Sequence, residues 1–281
     1  MEYIKLDNGL ELPQIGLGTW QITDRKQMTD VIFNAYNVGY QMIDTAAAYS
    51  NEIAIAKAIG AAGIKREELF LSDKVWNTCR GYKAVQEACR KSLKKLKTEY
   101  LDLYLIHWPA SMKVHADWKE INADTWRGME KLYEDGLVRA IGVCNFKEHH
   151  LLELEKTARI EPMVDQIELH PGLEQKNLLQ YCKEKNIAVE ASSPLGNGQI
   201  LNNDNLIKIA NEKGKSAAQI CLRWEIQKGI IVIPKTVNKD RLCENMDIFD
   251  FELDDREMSV IDSIPYCGGI GIDSDEVIDF G

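Results

Sequence analysis

Leu101-Asp102-Leu103-Tyr104-Leu105-Ile106-His107-Trp108-Pro109 decides the fold. A mostly apolar run stops at an imidazole and an indole, as a short buried strand does when polar chemistry waits at its carboxyl end. Working outward, the pattern recurs at Met42-Ile43-Asp44, Leu69-Phe70-Leu71, Ala140-Ile141-Gly142-Val143 and Met163-Val164-Asp165-Gln166-Ile167. Ile187-Ala188-Val189, Ile230-Ile231-Val232-Ile233 and Ile15-Gly16-Leu17-Gly18 bring the predicted short strands to eight. Helical spacing fills the gaps. A helix starts at Thr23-Asp24 with Met28, Val31, Ile32 and Ala35 as its stripe. Another runs from Tyr82 to Leu96 over Val85, Ala88, Cys89, Leu93 and Leu96, and a third from Trp126 to Tyr133, ended by Gly136. Ahead of them, Tyr3-Ile4-Lys5-Leu6, the turn Asp7-Asn8-Gly9 and Leu10-Glu11-Leu12 read as a hairpin. Strands alternating with amphipathic helices imply an α/β parallel sheet with helices outside. Eight such units fit a closed (β/α)8 barrel of ~250 residues, with an open doubly wound sheet as the alternative. No linker or repeat divides residues 1–281, so a single domain is expected.

Composition narrows the function. Apolar residues make up 45% and charged residues 28%, which excludes a disordered or collagen-like chain. Lys+Arg 34 against Asp+Glu 44 leaves a net charge of −10, with no broad basic face for nucleic acid or an anionic membrane. No apolar stretch approaches the ~18 residues of a membrane span, and Met1 to Leu6 has no signal-peptide form. Seven scattered cysteines without a C-x-x-C predict reduced thiols in a cytoplasmic protein, with no disulfide frame and no metal site.

In a (β/α)8 barrel the active site lies at the carboxyl ends of the strands. There the sequence delivers Asp44, Lys74 and His107, spaced by about one β/α unit each. Tyr49 follows Asp44 closely enough to fold back over the same mouth. Singly, these residues read as a helix cap, a solvated head and a packed core histidine. Together at the ends of consecutive strands, they read as a catalytic group. Trp20, Trp76 and Trp108 also fall at strand ends, where core packing alone gives no reason for them to recur. An aromatic wall around a few polar groups suits a small-molecule pocket.

The chain resembles the aldo-keto reductase family over nearly its whole length, in the manner of the bacterial prostaglandin synthase and diketogluconate reductase branches. The residues that carry the likeness are Gly39-Tyr40-Gln41-Met42-Ile43-Asp44-Thr45-Ala46 with Tyr49, Asn51 and Glu52, then Leu105-Ile106-His107-Trp108-Pro109. Gly136-Leu137-Val138-Arg139-Ala140-Ile141-Gly142-Val143-Cys144-Asn145-Phe146 and Gln166-Ile167-Glu168-Leu169-His170-Pro171 follow, and Ile233-Pro234-Lys235 with Arg241, Glu244 and Asn245 completes the set. The resemblance implies a TIM barrel that uses NADPH without a Rossmann domain, and no G-x-G-x-x-G follows a strand here. It implies a cytoplasmic, monomeric carbonyl reductase acting on a small-molecule aldehyde or ketone. Asp44, Tyr49, Lys74 and His107 form the implied tetrad. Tyr49 donates the proton, Lys74 lowers its pKa, Asp44 holds Lys74 and His107 orients the carbonyl.

The same mapping assigns the cofactor contacts. Asn145 and Gln166 meet the nicotinamide carboxamide, and Ser193 and Leu195 the pyrophosphate. Lys235, Thr236, Asn238 and Arg241 surround the 2′-phosphate, with Glu244 and Asn245 at the adenine. Thr19, Asp44 and Ser192 line the remaining cofactor surface. The substrate pocket falls to Trp20, Tyr49, Trp76, His107 and Trp108. Three departures stand out: Ser192 where a tyrosine often stacks on the ring, Cys144 where serine is usual, and Asp165 for a common asparagine. Glu168 and His170 read as structural. The tail from Tyr266 to Gly281 is expected over the barrel mouth. Tyr266, Ile270, Ile272 and Phe280 would supply its apolar contacts, and Asp273, Asp275, Glu276 and Asp279 would disfavour anionic substrates. Two other readings compete: an NADPH-binding redox sensor with slow turnover, and a Schiff-base aldolase using Lys74.

Overall fold

The computed structural model describes residues 2–277, so Asp279 and Phe280 lie outside the described residues. The chain opens with the expected hairpin, β1 (Tyr3–Lys5) and β2 (Glu11–Pro13), paired antiparallel with Ile4 opposite Leu12. Then come β3 (Leu17–Gly18), α1 (Arg25–Asn37), β4 (Met42–Asp44), α2 (Glu52–Ala62), β5 (Phe70–Val75) and α3 (Tyr82–Leu96). β6 (Leu103–Ile106), α4 (Trp118–Glu134), β7 (Ile141–Cys144), α5 (Glu148–Glu155), β8 (Val164–Glu168) and α6 (Lys176–Glu184) continue the alternation. β9 (Ala188–Ser192), α7 (Asp204–Lys213), α8 (Ala217–Gln227), β10 (Ile231–Val232), α9 (Lys239–Met246) and α10 (Asp255–Asp262) complete it.

Strands β3 to β10 form one parallel sheet in chain order. A parallel bridge from Ile15 to Val232, with Gly16 N donating to Val232 O at 2.8 Å, brings the first strand back to the last. The sheet is therefore the closed barrel, and the open-sheet alternative falls. Inside it Met42, Phe70, Leu103, Leu105, Val164 and Ile231 pack together, and Leu6 and Leu12 of the hairpin region plug one end. A second apolar layer joins the outer strand faces to the helices. The helix stripes fall where periodicity puts them: Met28, Val31, Ile32 and Ala35 are the buried residues of α1, whose N-cap Asp24 accepts from Gln27 N at 2.7 Å.

Two boundaries differ from expectation, and polar burial explains both. β5 does not stop before Lys74 but runs through Ser72, Asp73 and Lys74 to Val75, all buried. Ser72 and Lys74 both meet Asp44 inside the barrel, and Asp73, on the other face of the strand, accepts from Lys74 N at 2.8 Å, so the strand can continue through them. α4 begins at Trp118, a turn and more before Trp126, because Asn122 and Thr125 are buried and bonded: Ala110 N donates to Asn122 Oδ1 and Gly81 N to Thr125 Oγ1, each at 2.8 Å.

Gly142 in β7 marks the tightest packing of the sheet. A Cβ there would lie 2.4 Å from Val164 O on the neighbouring strand. Backbone cannot retreat as a flexible side chain does, so Gly142→Ala is expected to destabilise the fold by about 1–3 kcal/mol. Urea unfolding measures this, and a midpoint equal to the parent's would contradict it.

Candidate active site

Three neighbouring strands set the rim. Asp44 ends β4 and pairs in register with Gly18 and Ser72, Lys74 lies one pleat up on β5 opposite Leu105, and His107 follows β6. The turn of 3-10 helix Ala47–Tyr49 carries Tyr49 back over them. Asn51 fixes this entry: its Nδ2 donates to Thr19 O at 2.9 Å, and its Oδ1 accepts from Thr45 Oγ1 at 2.7 Å. Glu52 fastens α2 to α3 through Ser92 Oγ at 2.8 Å and Lys95 Nζ at 2.5 Å.

Lys74 is wholly enclosed. Its Nζ donates to both Asp44 oxygens, at 2.7 and 2.6 Å, and to Thr45 O at 3.0 Å. Asp44 Oδ1 also accepts from Ser72 Oγ at 3.1 Å. Burial works against the ammonium, but the Asp44 carboxylate overrides it, and the Lys74 pKa lies above the ordinary value. The Nζ sits 5.5 Å from the centre of the Tyr49 ring. The expected lowering of the phenol is present as a contribution, yet burial outweighs it, and the net Tyr49 pKa is raised. Tyr49 is thus a protonated phenol at neutral pH.

His107 packs edge-on against Tyr49 and Trp76, with ring centres 5.7 and 5.1 Å away, and lies nearly parallel to Trp108 at 6.4 Å. Burial first, then the Lys74 charge, hold its pKa well below the usual imidazole value. Its Nδ1 is buried without a hydrogen-bond partner. Trp76 and Trp108 are half-buried beside His107, and Trp20 is 43% exposed.

The predicted cofactor residues divide into an inner and an outer group. Thr19, buried, donates through Oγ1 to Asp44 O at 2.8 Å. Asn145 has a left-handed backbone, and its Nδ2 donates to His107 O at 2.9 Å and to Cys144 Sγ at 3.1 Å. Gln166 is buried and donates to Asp44 Oδ1 at 3.2 Å. Ser192 ends β9 half-buried, with Ser193 and Leu195 just beyond it. In the outer group, Lys235 and Arg241 are exposed, and among the described residues neither side chain has an ion-pair partner. Asn238 caps α9, accepting from Asp240 N at 2.8 Å and Arg241 N at 3.1 Å, while Asn238 N donates to Thr236 Oγ1. Glu244 is bonded to Ser216 Oγ, and Asn245 is buried. Two unpaired cations at the start of a helix fit a phosphate group.

The tail is docked, and Glu168 docks it. Its carboxylate accepts from Ile270 N and from Gly271 N, the latter at 3.0 Å. Further on, Lys147 Nζ binds Asp273 at 2.5 Å and Asp275 at 2.6 Å, and His149 Nε2 lies 2.9 Å from Asp275 Oδ1. The carboxylates expected to repel anionic substrates are instead largely spent on ion pairs, Glu276 with Lys113 included. His149, His150 and Asp275 bring three ligand-type atoms within 4.8 Å of one another. However, His150 Nδ1 accepts from Lys147 N at 3.1 Å, which leaves the ring proton on Nε2, and an ammonium already occupies Asp275. This cluster is a tail anchor. Sequence reading missed it because no motif links residue 147 to residue 275.

A family model described as "Aldo/keto reductase family" matches residues 14–265. The chain belongs to the aldo/keto reductase family. It is 47% identical to a glyoxal reductase of Bacillus subtilis, covering 98% of this chain and 97% of that one. It is 41% identical to the methylglyoxal reductase DkgA of Escherichia coli, covering 97% of both. A crystal structure of a Gox0644 variant in complex with NADPH superposes with a TM-score of 0.91 at 36% identity, covering 99% of this chain and 98% of that one. As a member of the family, this enzyme is an NADPH-dependent oxidoreductase that reduces aldehydes or ketones to alcohols. The two competing readings are set aside. A lysine held as an ammonium by both oxygens of a buried carboxylate offers no lone pair for a Schiff base, and the matched relatives are named as reductases. Among the described residues no helix is long and apolar enough to cross a membrane.

The environment of His107 makes it a neutral imidazole. Ring nitrogen NMR is expected to show His107 neutral at the pH where an ordinary imidazole is half protonated. A midpoint near the unperturbed value of about 6.5 would contradict this.

Proposed function

We propose that this aldo/keto reductase reduces small neutral aldehydes, 2-oxoaldehydes among them, with Tyr49 as the proton donor. The observation that carries the reading is the buried Lys74–Asp44 pair beside a protonated Tyr49, with neutral His107 packed against the same phenol. The aromatic mouth and the names of the two matched relatives support the substrate class.

NADPH, when bound, supplies the hydride to the carbonyl carbon. Every other task falls to side chains of this chain. His107, held neutral, hydrogen-bonds the carbonyl oxygen through a ring N–H and fixes its direction. Tyr49 gives its proton to that oxygen as negative charge builds there. The phenolate left behind is stabilised by the Lys74 ammonium, which Asp44 keeps charged and in place. Water at the mouth then returns a proton to Tyr49. Asn145 and Gln166 hold the nicotinamide carboxamide, and Thr19, Ser192, Ser193 and Leu195 line the path to the pyrophosphate. Lys235, Thr236, Asn238 and Arg241 take the 2′-phosphate, and Glu244 and Asn245 take the adenine.

Tyr49→Phe is expected to cut kcat by about 10²–10⁴-fold, the usual contribution of general acid catalysis, and to leave NADPH affinity nearly unchanged. Single-turnover kinetics with methylglyoxal and a fluorescence titration of NADPH measure the two quantities. Undiminished turnover would assign the proton donor elsewhere.

Coenzyme choice gives a second expectation. Arg241→Ala should weaken NADPH by about ten- to a hundredfold and leave NADH little altered, because only NADPH carries the 2′-phosphate. Calorimetric titration of both coenzymes checks this, and equal losses would remove Arg241 from the phosphate site.

A further inference from the structure

Glu190 lies in the middle of β9, two residues before Ser192, with apolar Val189 and Ala191 on either side. It is fully buried and stands in register with Gln166 on β8. Gln166 Nε2 donates to Glu190 Oε1 at 2.5 Å and to Asp44 Oδ1 at 3.2 Å. An amide nitrogen carries two hydrogens and accepts nothing, so both donors are taken. The carbonyl end therefore faces the other way, where the Cys144 thiol donates to Gln166 Oε1 at 3.6 Å. Turning the amide over would press its oxygen against the Asp44 carboxylate and take the N–H donor away from Glu190 Oε1. Asp44 holds its hydrogen only loosely and is already engaged by Lys74 and Ser72. Glu190 makes the shorter bond, and its Oε2 is buried without a hydrogen-bond partner, so the Gln166 contact is the hydrogen bond its carboxyl makes.

We propose that Glu190 is a positioning residue for the coenzyme: it locks the Gln166 amide with its oxygen outward, so that this position accepts a ligand N–H group such as the NH2 of a carboxamide and refuses an acceptor. The proposal rests on the reading that Gln166 meets the nicotinamide carboxamide. The electrostatics suit the role. Burial, then the Asp44 carboxylate, push Glu190 up to about 8, against the pull of Lys74. Near neutral pH the group is uncharged, accepts through its carbonyl oxygen, and does not compete with Asp44 for Lys74. Lys74, Tyr49 and Cys144, which face the same corner, are all raised above their ordinary values.

Coenzyme binding without turnover tests this, read as quenching of tryptophan fluorescence by NADPH and NADP+. Glu190→Leu should weaken both by about 3–10-fold, the worth of one hydrogen bond, and Glu190→Gln, which keeps an acceptor oxygen, should restore them to within about twofold. Gln166→Ala should weaken binding similarly, and adding Glu190→Leu to it should change nothing further. Wild-type affinity in Glu190→Leu beside a weakened Gln166→Ala overturns the positioning role alone, as do independent losses that multiply in the double variant. Wild-type affinity in Gln166→Ala overturns the carboxamide contact itself. If Glu190→Leu does not fold, the unmodified enzyme decides. The side-chain NH2 protons of Gln166 should lie downfield and exchange slowly with water, as hydrogen-bonded amide protons do. Free-amide shifts with rapid exchange overturn the proposal.

Discussion

An ammonium and a carboxylate, locked together inside a barrel, are the constraint on which the rest of this enzyme depends. The Lys74 side chain is 0% exposed and that of Asp44 3%. Removing two charges from water costs several kcal/mol per ion, and the cost is offset only where geometry is good and the remaining hydrogen-bonding capacity is used. Here it is used: Thr45 O takes a further hydrogen of Lys74, and Ser72 and Gln166 donate to Asp44. The pair holds a permanent positive charge 5.5 Å from the Tyr49 ring, in a place where water cannot screen it. A protonated phenol can then release its proton without having been acidified beforehand.

Much of the surrounding structure keeps that pair in register. Asn51 ties the loops on both sides of Asp44 through Thr19 and Thr45. The β4–β5 pairing sets Ser72 beside Asp44, and continuing β5 to Val75 aims Lys74 inward. Each of these bonds satisfies a polar group that would otherwise be buried unpaired, so the machinery and the stability of the barrel are the same set of contacts. From this rigid floor the network extends through Gln166 to Glu190 and through Cys144 to Asn145. Thus the side chains of Gln166 and Asn145 are oriented by buried neighbours rather than by solvent.

The mouth is organised by longer-range connections. Glu168, at the end of β8, reaches the backbone of Ile270 and Gly271, while Lys147 and His149 take the acidic residues of the tail. Lys147 stands two residues after Asn145, so the tail is fastened beside a residue proposed above to meet the coenzyme. Acidic side chains that look repulsive in sequence act here as the counter-ions of a latch.

The sequence by itself determined the barrel and singled out the polar residues at its strand ends as candidates. Short apolar runs and helical stripes are local signals, set by whether each side chain meets core or water. The residues at consecutive strand ends, Asp44, Lys74 and His107, stand out against the apolar runs beside them. The tertiary structure decided what depends on distance through space. Burial, which no short stretch of sequence reports, raised Tyr49 above its ordinary value although Lys74 pulls it down. Buried hydrogen bonds carried β5 through its polar residues and lengthened α4. Glu190 was detectable as a carboxyl between apolar neighbours in a strand, yet its partner Gln166 is 24 residues away, and Asp275 is 128 residues from Lys147. Such pairs form because closing the barrel brings their strands and loops together, and it is this closure, rather than local preference, that gives Glu190 and Asp275 their partners.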